Sequence, residues 1–549
     1  MKRERSTPMP MSEIPPRQAP HILLIGPHDP NCGEYTFLAP PLGVWRLAGV
    51  LEAHGFHAEV FDPNCCAGPP QRALVRKLQR QPWDLIGIST TGMTLRFDLE
   101  LAHLARRFAP SALIVAGGME ATFRPELMFE LGPFDRVVLG EGERPLRELA
   151  TRLRGGASLS SIPGVAERLP DGGLLKPRQP ALSQSELREA IFATPYETMP
   201  YRAYWDRLER AYAVGALPSK AAREATLAEI RSVRLITLNY CPMACSFCSA
   251  TNFLHEAQGG VAAVARLDVE ECLHMIRRIV AAYPDVRTII FQDDIFAFTK
   301  DKRVLPLCEA IIAAKRAGAL PRELQFISTN RIDAMNVERL SAMRRAGFRV
   351  LGFGIENFSP QVLREFNKGQ IYPHIAPMLR AALDLGITPF LDLILASPLG
   401  RLTDLAETLR QANYWLQQGC EVGMYPYVIP FSGAALASDP GLSAAVDYAP
   451  QQVAGTAIEW KQPAKILPLD GPTRNAILRI ESAFNARLEQ LQQHAVHLPS
   501  RVRSLIWLAS AQPVMADAGH DIGDTTRLSE LLQAWLPRQG TGLRAAVVA

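Results

Sequence analysis

The segment NYCPMACSFCSA sets Cys241, Cys245 and Cys248 in a CxxxCxxC spacing. Thiolates are the soft donors that hold iron–sulfur clusters, and each iron of a 4Fe-4S cluster takes one ligand beyond its sulfides. Three cysteines therefore leave one iron open to chelate a substrate or a cofactor. A zinc site competes with this reading, but it normally draws a fourth Cys or His from nearby, and the next histidine is His255. Coincidence is the other reading, and with 9 cysteines in 549 residues this triple is rare by chance. A disulfide scaffold is not expected in so long a chain.

The loop that carries these thiols follows an apolar run, Val233–Asn239, which opens an alternation of strands and helices. Further runs stand at Thr288–Phe291, Leu324–Ser328, Phe348–Gly354, Thr388–Leu395 and Val422–Val428. Helical spacing separates them at Val269–Ala282, Val304–Ala317 and Val337–Ala346. Six such units over 232–431 predict a partial, open (β/α)6 barrel. Beyond Ser432 the strand signal ends, and 432–549 is expected to be mainly helical, with amphipathic stretches at 475–494 and 500–508. That region would cap the barrel or border a substrate pocket. Tyr427, Pro430 and Phe431 are expected at the pocket edge, although such residues are equally ordinary core.

Upstream, apolar runs at Ile22–Pro27, Ala58–Asp62, Leu85–Ser89, Ala112–Ala116 and Arg136–Leu139 alternate with helical stretches such as Gly43–His54 and Phe97–Phe108. This predicts a Rossmann-like, doubly wound parallel sheet over 21–153. Ligands of such sheets sit beyond the carboxyl ends of the strands. The segments there are PHDPNCG, APPLG, STTG, AGGME and LGEGE. They offer Pro41, Leu42, Gly43, Ser89, Thr90, Thr91, Gly117, Gly118, Gly140, Glu141, Gly142 and Glu143. Glycine lets backbone approach a bulky ligand, and the hydroxyls supply donors and acceptors. Each glycine alone reads as turn chemistry; together they favour a nucleotide-like ligand. Residues 154–231 read as linker and connector, with a small hairpin in IPGVAERLPDGG and an aromatic-proline stretch, PYETMPYRAYW.

A chain of this length predicts two or three domains. The net charge of +4 arises from 59 basic and 55 acidic residues without a single-sign block, so no nucleic-acid partner is expected. No apolar run is long enough to span a membrane, and residues 1–20 lack the apolar stretch of a signal peptide. They read as a disordered polar leader, and a cytoplasmic location is expected.

The CxxxCxxC loop after the first barrel strand, with Phe247 before the last cysteine, resembles the radical S-adenosylmethionine (SAM) superfamily over 232–431. The resemblance implies a 4Fe-4S cluster on Cys241, Cys245 and Cys248 whose open iron binds SAM, and reductive cleavage to a 5'-deoxyadenosyl radical. In FQDDIF, Asp293 or Asp294 stands where many members have a Gly-Gly-Glu stretch that meets the SAM amine. Ser328 and Arg331 in STNRID, and Gly354 and Glu356 in GFGIEN, match elements that reach the SAM ribose and carboxylate. Phe247 is included among the implied SAM contacts.

The upstream domain resembles the cobalamin-binding domain of cobalamin-dependent radical SAM enzymes through PPLGVWRLAGVLEAHGF, VAGGMEATFRPE and DRVVLGEGE. The twelve rim residues named above become cobalamin contacts by that resemblance. The D-x-H-x-x-G motif that supplies a histidine to cobalt is absent; PHDPNCG offers His28, Asp29, Asn31 and Cys32 in its place. GHDIG at 519–523 holds the second half of that motif, but Ala518 replaces its aspartate.

The implied activity is methylation of an unactivated carbon through methylcobalamin and a 5'-deoxyadenosyl radical. Alternatives are radical cyclisation or rearrangement with the same cofactors, a cobalamin-binding sensor, and a radical SAM enzyme without cobalamin. The expected partners are a small-molecule or natural-product substrate and an electron donor such as flavodoxin or ferredoxin.

Overall fold

The computed structural model describes residues 19–30, 39–217, 219–299, 301–492 and 500–524. Most of the expected leader, Asn31 and Cys32, and residues beyond 524 lie outside these.

The N-terminal strands β1 (Ile22–Ile25), β2 (Ala58–Phe61), β3 (Leu85–Ser89), β4 (Leu113–Gly117) and β5 (Arg136–Val138) form the parallel part of one sheet, in order β2-β1-β3-β4-β5. They form because short apolar runs can be buried on both faces. Leu24, Leu85, Val115 and Val138 pack on one side with helices Leu42–Ala53 and Glu143–Gly155; Leu23, Ile25, Ile86 and Ile88 pack on the other with helix Leu95–Phe108. The chain reverses its strand order between β1 and β3, the place where such sheets open a crevice.

The sheet does not stop at Leu153. Strands β6 (Val165–Arg168) and β7 (Leu174–Leu175) are the hairpin expected in the connector, and β6 joins the sheet antiparallel to β5 through Val137–Ala166 and Val138–Val165.

Strands β8 (Ser232–Leu235), β9 (Thr288–Phe291), β10 (Gln325–Asn330), β11 (Phe348–Glu356), β12 (Thr388–Ala396) and β13 (Glu421–Tyr427) form the expected open barrel, all parallel and in sequential order. Alternate residues face outward: Leu351, Phe353 and Ile355 of β11 and Leu391, Leu393 and Leu395 of β12 belong to the large core. The intervening positions face the lumen.

The region after Ser432 departs from expectation. Strands β14 (Val446–Gln452) and β15 (Glu459–Ile466) form an antiparallel hairpin in a region expected to be mainly helical. Its sequence hid it because polar residues dominate and Pro450 and Pro463 stand inside the strands. In a two-stranded ribbon each strand has a free edge, so a proline's missing donor is tolerated. At the tip, Val453 is fully buried in the N-terminal core, with Ile458 and Trp460 packed against it. At the root, Ile466 packs with Val362, Phe366 and Val428 of the barrel region. The ribbon therefore spans both halves of the molecule.

Helices Gly471–Gln492 and Ser500–Asp517 follow, with Phe484 stacked on Trp507 at 4.0 Å between ring centres. GHDIG lies after the second of these, without a preceding strand. Among the described residues no helix is long and apolar enough to cross a membrane.

Candidate active site between two domains

The cysteine loop leaves β8 and is pinned along its length. The Thr251 hydroxyl donates to the carbonyls of Cys241 (2.8 Å) and Met243 (2.7 Å). Ser246 donates its amide to Phe366 O at 3.0 Å and its hydroxyl to Glu365 O at 2.9 Å. Asn367 holds Ala244 O at 2.8 Å. Phe247 meets Phe366 edge-on at 5.1 Å. Ala250 N lies 3.5 Å from Cys248 Sγ, so a helix, Ala250–Gln258, starts directly at the last thiol.

Burial pushes the thiols of Cys241 and Cys248 up to about 12 and about 11, and that of Cys245 upward; the three also raise one another or are raised by nearby carboxylates. Such thiols ionise when a metal takes the place of their protons. Among the described residues no His, Cys, Asp and Glu side chains converge on a single-ion position. Three interacting thiols without a fourth ligand fit a multi-iron cluster better than zinc.

Of the two aspartates in FQDDIF, Asp293 is turned away from the lumen. Its carboxylate is buried and accepts from Thr237 N (2.6 Å), Thr237 Oγ1 (2.5 Å) and Leu238 N (2.9 Å). Arg303 donates to the same Thr237 Oγ1 at 2.9 Å. Asp293 thus fastens the root of the cysteine loop, and its acceptor sites are taken by that task. Asp294 is exposed to the lumen, and its charge raises the thiols of Cys241 and Cys248.

A second correction concerns β10. Ser328 is 1% exposed and bonded to Asn330, on the outward face; Thr329 is the lumen residue. Arg331 is buried and doubly bonded to Asp333 (2.9 and 2.7 Å), with a further bond to Lys368 O at 2.8 Å. Glu356 ends β11 at a bulge with φ +66, and its carboxylate holds the Lys368 ammonium at 2.8 Å. Gly354 makes room for that pair: a Cβ there would stand 2.5 Å from Glu356 Oε1. Lys368 also lies 5.9 Å over the Phe247 ring. The structure thus brings Phe247, Asp294, Gly354 and Glu356 to the cysteine loop, with Lys368, which sequence reading missed. Asp392 and Tyr425 on β12 and β13 were missed too. The signal was available, since Asp392 is the one charged residue in TPFLDLILA and its parity matches Phe390 on the lumen face.

Beyond the carboxyl ends of β1, β3, β4 and β5 lies a cavity of about 180 Å³. Gly43, Ser89, Gly117, Gly118, Gly140, Glu141, Gly142 and Glu143 line it, as expected of the rim segments. Pro41, Leu42, Thr90 and Thr91 do not. Pro41 packs on Gly26; Leu42 packs against the large barrel core; the buried Thr90 hydroxyl donates to Gly117 O and accepts from Ala121 N; and Thr91 bonds Thr94. They shape the rim from behind. His28 is not in the wall either; its ring lies edge-on to Phe97 at 5.4 Å.

The cavity has apolar walls, including Leu24, Val44, Val115 and Val138, and strand positions Gly87 and Gly117 that carry no side chain. Its charged end holds Glu141, pushed up to about 7 by burial and the neighbouring Glu143, while Arg46 sits 2.7 Å from Glu143. A mostly apolar slot with a polar rim fits part of a large organic cofactor. Phe253, five residues after Cys248, forms part of the same wall. One short helix therefore connects the cysteine loop to the cavity.

Residues 30–150 match the B12 binding domain family, and residues 235–412 match the radical SAM superfamily. The chain is therefore a radical SAM enzyme with an N-terminal cobalamin-binding domain, and its cofactors are a 4Fe-4S cluster, SAM and cobalamin. It is 22% identical to an uncharacterized methyltransferase of Pyrococcus horikoshii, covering 72% of this chain and 77% of that one. It is 24% identical to the anaerobic magnesium-protoporphyrin IX monomethyl ester cyclase of Rubrivivax gelatinosus, over 75% and 68% of the two chains. Its fold matches OxsB, a cobalamin-dependent SAM radical enzyme solved with aqua-cobalamin and SAM bound, at a TM-score of 0.66 and 16% identity, covering 96% of this chain and 76% of that one.

Proposed function

We propose that the enzyme transfers a methyl group to an unactivated carbon of a small molecule. The observation that carries this reading is the helix Ala250–Gln258, which begins two residues after Cys248 and places Phe253 in the wall of the cobalamin-domain cavity. Cofactor sites joined so closely suit a substrate that must meet both. When bound, SAM on the cluster supplies a radical able to take hydrogen from carbon, and cobalamin supplies a methyl donor for a carbon that is no nucleophile.

The chain's own residues position these groups. Cys241, Cys245 and Cys248 hold the cluster. Asp294 receives the SAM amine, and the Glu356–Lys368 pair receives its ribose and carboxylate, with Gly354 keeping the approach open. The cavity residues Gly43, Ser89, Gly117, Gly118, Gly140, Glu141, Gly142 and Glu143 hold cobalamin. Phe247 against Phe366 shields the cluster from water. A reduced flavodoxin or ferredoxin supplies the electron.

The test is mass spectrometry of products formed with SAM carrying a deuterated methyl group. Label in the product is expected. Label confined to methionine would turn the assignment to cyclisation or rearrangement, the second reading, which the relationship to the Rubrivivax cyclase favours.

A further inference from the structure

Lys368 carries a positive charge into a place nearly closed to water. Its side chain is 9% exposed, the Glu356 carboxylate holds its ammonium at 2.8 Å, and the ammonium lies 5.9 Å over the ring of Phe247, which stands between Cys245 and Cys248 in the chain. A buried cation needs a paired anion, and here the backbone is strained to supply one. Glu356 has φ +66, left-handed for a residue with a side chain, at the bulge that shifts the register of β11 on β12.

The segment that delivers Lys368 is fastened to the cysteine loop. Ser246 donates to Phe366 O and Glu365 O at 3.0 and 2.9 Å, and Asn367 donates to Ala244 O at 2.8 Å. Arg331 donates to Lys368 O at 2.8 Å, and two bonds to Asp333 hold Arg331 in turn. Residues 365–368 are thus tied to residues 244–247, and the ammonium keeps its place relative to Cys245. The two groups feel each other there. Burial pushes the Cys245 thiol upward, and among the charges around it Lys368 pulls hardest the other way, ahead of the opposing Glu356. Burial pulls Lys368 down, but Glu356 and then Cys245 raise it above the usual lysine value, so it stays charged.

The potential of an iron–sulfur cluster follows the charges and hydrogen bonds around its thiolates. Reduction adds one negative charge, so a fixed cation nearby favours the reduced state and a fixed anion the oxidised state, more strongly where water is excluded. We propose that the Lys368 ammonium, seated by Glu356 beside Cys245, raises the reduction potential of the 4Fe-4S cluster. This task is separate from what the pair does toward SAM. The inference rests on the cluster being held by Cys241, Cys245 and Cys248, and does not depend on whether a methyl group is transferred.

The test is an anaerobic redox titration of the full chain, reconstituted with the cluster and without SAM or corrinoid, read by electron paramagnetic resonance. Titanium(III) citrate gives one electron to the cluster, taking it from the 2+ to the 1+ state while Ti(III) becomes Ti(IV); no bond forms or breaks. In Lys368→Met the reduced-to-oxidised ratio at a fixed potential should fall at least about tenfold, a shift of about 59 mV for one electron. Glu356→Gln should move the potential in the opposite direction, because it removes the anion and leaves the ammonium. Lys368→Arg keeps the charge and should restore most of the parental value, and the double variant should lie between the two single ones.

Damage to the loop would move both single variants the same way, so shifts of like sign would overturn the inference. An unchanged potential in Lys368→Met would do the same, and a loss confined to SAM affinity, read by equilibrium dialysis, would assign the pair to SAM alone. If Lys368→Met takes up no iron, Glu356→Gln decides: an unchanged or lower potential there overturns the inference. A parent chain that binds no cluster would overturn the assignment of the cysteines together with this inference. Failure of label transfer to product would overturn the methyl-transfer reading alone and leave the potentials standing.

Discussion

Gly140 lies against Ala257, and a Cβ at Gly140 would stand 2.5 Å from the Ala257 Cβ. One residue belongs to the rim of the cobalamin domain and the other to the helix Ala250–Gln258 that follows Cys248. Gly140 also has φ +76, a conformation that disfavours side chains. Gly140→Ala should therefore force the helix off the rim and destabilise the protein by about 1–3 kcal/mol. A urea midpoint unchanged from the parent would refute this.

A second contact between the halves is polar. Ser432 donates to the Glu120 carboxylate at 3.0 Å, and Arg124 holds the same carboxylate at 2.9 Å. Glu120 is 2% exposed, so removing its partners leaves a buried acceptor unsatisfied. Ser432→Ala should cost about 1–2 kcal/mol, and the cost should largely vanish in a Glu120→Gln background if the two act together. Additive losses in the double mutant would show that they do not.

The two aspartates of FQDDIF should behave differently. Asp293→Asn weakens the three bonds under the cysteine loop, so iron content after reconstitution and thermal stability should both fall. Asp294→Asn should retain iron and weaken SAM binding. Iron analysis and equilibrium dialysis separate the two; matching profiles would mean that the assignment of faces is wrong.

At Gly117, the nearest atom to an added Cβ is the Val138 Cβ at 3.9 Å, so a larger side chain has room to extend into the cavity. Gly117→Leu should therefore fill the slot without unfolding the sheet. Corrinoid content, read by absorbance, should fall by more than about tenfold while the melting temperature stays close to the parent's.

Asp98 provides a pH test. It is fully buried, accepts from His28 N (2.8 Å), Thr94 Oγ1 (2.6 Å) and Thr91 N (3.3 Å), and burial pushes it from 3.8 up to about 8. Between those values the folded chain binds more proton than the unfolded chain, so stability falls as pH rises through this window. The contribution is full below the lower value and lost above the upper one. Asp98→Asn should flatten that slope, as read by denaturant midpoints across the window.

The sequence made most of the fold legible because parallel strands buried on both faces read as apolar runs, as in ILLI, LIGIS and TIIF. It marked the cysteine loop by spacing alone. It could not decide between Asp293 and Asp294, because only the backbone path beyond Phe291 sets which carboxylate turns inward. The resemblance implied that Ser328 reaches SAM, but Phe326, Ser328 and Asn330 share the buried face of β10 and Thr329 points the other way; adjacent residues of a strand face opposite sides, so a motif displaced by one residue names the wrong side chain. The β14–β15 ribbon escaped because its burial is supplied at its two ends by distant parts of the chain. No local pattern announces that Val453 belongs to the N-terminal core.

That burial bears on how the molecule is made. The cobalamin domain leaves the ribosome first, yet one of its core side chains, Val453, is added only after the whole barrel has been synthesised. Until then the nascent domain carries an apolar vacancy at its surface, and a fragment cut before the ribbon keeps it. Completion of the first domain is thus a late event in translation, and dissecting the enzyme at the apparent boundary should yield a half that associates with itself or with chaperones.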